Sequence, residues 1–69
     1  MTTMLILICV NMATCTVETA THSWYRPAST RACITFKGIV ESKGGDVGLR
    51  LNLYNYEMQP GERVKVVCE

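Results

Sequence analysis

The sequence predicts a single α+β domain spanning 1–69, in which a four-stranded antiparallel sheet of two β-hairpins carries one helix across a face. Three observations predict it. Met4–Val10 reads MLILICV, a short apolar run without a breaker, as in a strand buried on both faces. The last third alternates apolar and polar residues with the two-residue period of a half-buried strand. Between these regions, helix-starting and helix-stopping residues bracket one segment. A sheet face and a helix stripe can then bury each other in two layers.

The first strand is expected over Thr2–Val10, followed by a turn at Asn11–Thr14. A second strand is expected from Cys15 to Trp24, where β-branched Thr and Val are dense. In that strand Cys15, Val17, Thr19 and Thr21 share one face, and Glu18, Ala20, His22 and Trp24 share the other. Pro27 is expected to end it, since proline is excluded from a central strand. Ser29 or Thr30 can cap a helix N-terminus, and Lys43-Gly44-Gly45 carries the stop signals of a C-terminus. The helix so bounded places Ala32, Phe36 and Ile39 on one face, with Cys33 and Val40 beside them. Ile34, Thr35 and the interior Gly38 disfavour it, and they leave an all-β chain of five short strands as the alternative. Val47, Leu49, Leu51 and Leu53 then alternate with Gly48, Arg50, Asn52 and Tyr54. Gln59-Pro60-Gly61-Glu62 fits a type II turn, and Val64, Val66 and Cys68 form the apolar face of the last strand.

Hydrophobic residues are 48% of the chain, charged residues 19%, and the net charge is +1. That balance excludes disorder and supplies no bulk field toward nucleic acid or an anionic membrane. The charges are uneven. From Met1 to Tyr25 Glu18 alone is charged, so the first third is a buried or partner-facing element. Its apolar run of seven residues is far short of the roughly 20 that span a bilayer. No Lys or Arg precedes the run, which argues against a secretory signal. The apolar first strand could also pair edge to edge with a second copy.

Four cysteines, Cys9, Cys15, Cys33 and Cys68, allow three pairings in an oxidising compartment. Buried thiols are the other reading. Cys15, Cys33 and Cys68 fall on core-facing positions, and a Cys33–Cys68 link would tie helix to last strand. Zinc ligands come in close pairs, which these spacings do not provide. The lone His22 lacks the nucleophile, base and orienting group of a catalytic triad. No catalytic residue, metal or cofactor is therefore expected. Arg50, Asn52, Tyr54 and Tyr56, with Arg63 and Lys65, could line a base-stacking face, but the small net charge favours an ordinary solvated surface.

Protein recognition remains. Trp24, Tyr25 and Arg26 set side by side the residue types most enriched at interface hot spots, and Tyr54 and Tyr56 could extend that surface. The segments LILIC, ATCTVET, STRAC and VKVVCE resemble short cysteine-containing proteins encoded by phages and prophages, some of which inhibit host defence, anti-CRISPR proteins among them. The likeness touches most of the chain. It implies a non-catalytic inhibitor that binds a host protein in the host cytoplasm. The alternative is a periplasmic or secreted domain held by disulfides.

Overall fold

A computed structural model of the chain describes residues 1–45 and 56–69. Strand β1 (Thr2–Cys9) leads through a 3₁₀ turn at Met12–Thr14 to strand β2 (His22–Ala28). Helix α1 (Thr30–Ser42) follows, and strand β3 (Arg63–Cys68) closes the chain. The sheet order is β2-β1-β3, and both outer strands run antiparallel to β1. The outer strands are therefore parallel to each other. Parallel strands need a long crossover, and α1 lies in it, so the fold is a split β-α-β unit with β1 inserted.

β1 takes the centre because it alone is apolar at nearly every position. Met4, Ile6 and Ile8 face the helix, and Leu5, Leu7 and Cys9 face the other way; all six are buried. On the helix side three cross-strand rows form: Arg26–Met4–Cys68, Trp24–Ile6–Val66 and His22–Ile8–Val64. Cys33 and Val40 of α1 cap these rows, with Phe36 packed beside them. The ladder continues past β3, where Thr3 and Glu69 exchange backbone hydrogen bonds of 3.0 and 2.9 Å.

The helix boundaries match their sequence signals. Ser29 Oγ accepts from the Ala32 N–H at 3.1 Å, as an N-cap should. At the other end Gly44 N–H donates to Glu41 and Gly45 N–H to Val40, at 2.9 and 3.0 Å. These are the two bonds of a Schellman motif. Gly45 has φ +81°, and a Cβ there would stand 2.9 Å from the Val64 carbonyl oxygen. Its own carbonyl accepts from the Val64 N–H at 2.8 Å, joining the helix end to β3. Gly45→Ala is thus expected to cost about 1–3 kcal/mol, read as a lower urea midpoint. Gly38→Ala, with open space around it, should be neutral or stabilising.

Several expectations are corrected. The described sheet has three strands, not the four of two hairpins, and α1 rules out the all-β alternative. The strand expected over Val47–Tyr54 lies outside the described residues. β3 pairs with β1, a pairing the two-hairpin arrangement did not include. The second strand begins at His22, not Cys15. Its threonines bond locally instead: Thr19 N–H donates to Thr16 Oγ1 at 3.3 Å, and the Thr19 hydroxyl to the Thr14 carbonyl. Such side-chain bonds compete with a ladder. Pro27 does not end the strand, because β2 lies at an edge of the three, where a missing N–H is tolerated. Both edges of β1 are already paired, which closes the route to a homodimer through the first strand. On α1 the buried pair is Cys33 and Val40, while Ile39 is half exposed and Ala32 exposed. Among the described residues no helix is long and apolar enough to cross a membrane.

Candidate recognition surface

The period-two register of β2 divides the residues singled out in the sequence. His22, Trp24 and Arg26 lie on the helix side of the sheet, opposite Ile8, Ile6 and Met4. Tyr25 projects from the other face and is exposed. Trp24 and Tyr25 are therefore neighbours in sequence but not on one surface. Tyr54 lies outside the described residues. Tyr56 joins Trp24, though not on the face of Arg63 and Lys65, where a base-stacking surface was expected. Instead its ring meets Trp24 edge-on at a centroid distance of 5.4 Å and His22 at 4.3 Å, while His22 stacks near-parallel to Trp24 at 6.0 Å. Edge-to-face pairs at these separations contribute about 0.5–1.5 kcal/mol beyond their buried area.

Trp24 and Tyr56 are partly buried and both pack on the core, whereas His22 is exposed. The corner therefore has a fixed base and an open rim. Arg26, two residues from Trp24 on the same face, is partly buried. Its guanidinium adds cationic, planar hydrogen-bonding chemistry to an aromatic surface.

A carboxylate holds this corner in place. Glu62 is 8% exposed, and an ionised carboxylate at such depth must be hydrogen-bonded. The Gln59 N–H donates to Oε1 at 2.7 Å, the Thr21 hydroxyl donates to Oε2 at 3.1 Å, and the Tyr56 hydroxyl lies 2.9 Å from both oxygens. The turn makes this possible. Glu62 N–H donates to the Gln59 carbonyl at 3.1 Å and Gly61 takes φ +89°, the type II geometry that Pro60-Gly61 signals. The chain thereby folds the Glu62 side chain back onto its own first residue. The Gln59 N–H, then the Tyr56 and Thr21 hydroxyls and the field of His22, hold the Glu62 carboxyl below its ordinary value against the opposing effect of burial. Burial, and then Glu62 itself, raise the Tyr56 phenol above its ordinary value.

The cysteines form two disulfides, Cys9–Cys15 and Cys33–Cys68, with Cα separations of 5.7 and 6.0 Å. The second is the helix-to-strand link weighed in the sequence. No thiol is left free. A Cys–His nucleophilic pair with His22 is thus closed, since a disulfide sulfur is not a thiolate, and so is a cysteine zinc site. Among the described residues no group of three or more His, Cys, Asp or Glu side chains could hold a metal ion.

Sequence reasoning placed His22 and Trp24 on one face, but it missed Glu62 and Thr21. Thr21 meets Glu62 across 41 residues, a contact that no local pattern marks, whereas the Glu62 bonds to Gln59 and Tyr56 span three and six residues. No family model, no curated protein and no solved structure matches the chain, so what this corner does is argued from its own chemistry.

Proposed function

We propose that this chain is a small, disulfide-held recognition domain that binds a partner protein, without catalysis, through the corner formed by His22, Trp24 and Tyr56 with Arg26 beside it. The observation that carries this reading is the pinned aromatic cluster. Trp, Tyr and Arg anchors dominate interface energetics, and an anchor already locked in position loses less entropy on binding. Tyr56 is locked by Glu62, and Trp24 by Tyr56 and the core. Tyr25, on the opposite face of the same strand, is left as a secondary contact.

The catalytic alternatives have little support in the chemistry. Both disulfides consume the thiols, and the Glu62 oxygens are filled by three donor groups, which leaves a poor general base. The disulfides favour an oxidising setting, periplasmic or secreted, over the reducing cytoplasm. The resemblance to phage-encoded proteins makes a host protein the expected partner.

The test is affinity capture from a host periplasmic or secreted fraction, with wild type beside a Trp24→Ala/Arg26→Ala double variant. Wild type should retain a partner that the double variant loses by at least 30-fold in affinity, about 2 kcal/mol. A control variant, Ser23→Ala on the opposite face, should bind as wild type. Equal capture by all three chains, with native circular dichroism, would exclude this surface.

A further inference from the structure

The Glu62 carboxylate is a charge at the base of the proposed recognition surface, and Tyr56 hangs from it. Tyr56 in turn packs against both other aromatic residues of the corner, which also stack on each other. We infer that ionised Glu62 is the positioning residue of the corner, so that its protonation in acid releases Tyr56 and loosens the surface while the disulfide-held sheet and helix persist. This deepens the recognition reading only in its consequence; the device itself is a property of the free chain.

The argument is one of hydrogen-bond inventory. An ionised carboxylate is an acceptor only, and it receives the Gln59 N–H, the Thr21 hydroxyl and the Tyr56 hydroxyl together. A neutral carboxyl carries a proton of its own and loses acceptor capacity. It also turns three charge-assisted bonds into weaker neutral ones. The Tyr56 bond is the most exposed to this change, because its hydroxyl bridges both oxygens. The Gln59 bond is local, spanning three residues, and survives rotation more easily.

The other titratable groups around Glu62 are few among the described residues. His22 on β2 faces it through space and stacks on Tyr56. Arg63 adjoins it, and its guanidinium donates to the Glu62 backbone carbonyl at 3.3 Å. Of the two, the field of His22 favours the ionised carboxylate. The folded-state value is depressed, which fixes the direction: the contribution is fully present above the usual carboxylate range and is lost as pH falls through the lower folded value.

Trp24 is the sole tryptophan, so its fluorescence reports the corner without a label. The experiment is an emission titration from pH 7 to pH 2 on the oxidised chain, with far-ultraviolet circular dichroism in parallel. Wild type should show a Trp24 transition below pH 4.5 with the dichroism retained. Glu62→Gln should have the acid-form emission already at pH 7 and no transition in that range. Tyr56→Phe, which removes only the hydroxyl, serves the same purpose if Glu62→Gln does not fold. His22→Asn should retain a transition, moved to higher pH because the field of His22 no longer favours ionised Glu62. A wild-type emission that does not change with pH, a dichroism loss coincident with it, or a transition abolished by His22→Asn and kept by Glu62→Gln would each overturn the inference. Because no partner is present, failure here leaves the capture experiment to decide recognition separately.

Discussion

Replacing Cys33 and Cys68 together by alanine is expected to lower the unfolding free energy by about 4 kcal/mol, and replacing Cys9 and Cys15 by about 2 kcal/mol. The difference follows from loop size. The first bridge closes 35 residues and the second closes 6, and a cross-link removes more unfolded-state entropy from the longer loop. Position acts in the same direction. Cys33 is fully buried on the inner face of α1, so its bridge joins the two layers of the domain, helix to sheet. The Cys9–Cys15 bridge merely returns an exposed 3₁₀ turn to the end of β1. A chain of this size has only a few kcal/mol to lose. The larger loss should move the thermal midpoint down by about 15–30 °C. Thermal melts of the two double variants check this, with intact mass confirming that oxidised wild type is about 4 Da lighter than the reduced chain. Equal destabilisation by both pairs, or the reverse order, would refute the account.

Ile8→Ala should be the most damaging single truncation in the core, at about 2–5 kcal/mol. Ile8 has no exposed surface and sits in the row His22–Ile8–Val64. It is flanked by both outer strands and covered from the helix side, where Val40 belongs to the same cluster. Its cross-strand neighbours His22 and Val64 are held in hydrogen-bonded strands on either side, so the site collapses poorly. Ile34→Ala is the control. Ile34 is 58% exposed, so its truncation should change stability by no more than about 0.5 kcal/mol. Urea titrations of both variants in the oxidised form give the comparison. An Ile8 variant within 1 kcal/mol of wild type would mean that the β1 core is not packed as described.

How much was legible in the residues varies by element, and the reason is the range of the interaction involved. Helix α1 was readable despite Ile34, Thr35 and Gly38, because Ser29 and Gly44-Gly45 act within three or four residues of themselves. The Pro60-Gly61 turn was readable for the same reason. The second strand was misplaced because β-branched threonines signal a strand and a side-chain-capped turn almost equally well. At Thr16 and Thr19 the local hydrogen bonds won, and the Cys9–Cys15 bridge holds that turn against β1. The recognition surface was half readable. A two-residue period set His22 beside Trp24, but it also separates Trp24 from Tyr25, a consequence that adjacency in sequence conceals.

By itself the sequence determined that β1 would be buried on both faces, since an uninterrupted run of Met, Leu and Ile has no polar side to present to water. It also marked where a helix over this segment would begin and end and where the last turn lies, while leaving helix against strand open. Tertiary structure decided the rest. It chose one cysteine pairing from three. It made the first strand the centre of the sheet rather than an edge open to a second copy. It also brought Thr21, Tyr56 and Glu62 together beneath His22 and Trp24. Those choices depend on which surfaces meet after the chain has crossed over, and contacts of that range are set by the packing of whole elements and not by the pattern within any one of them.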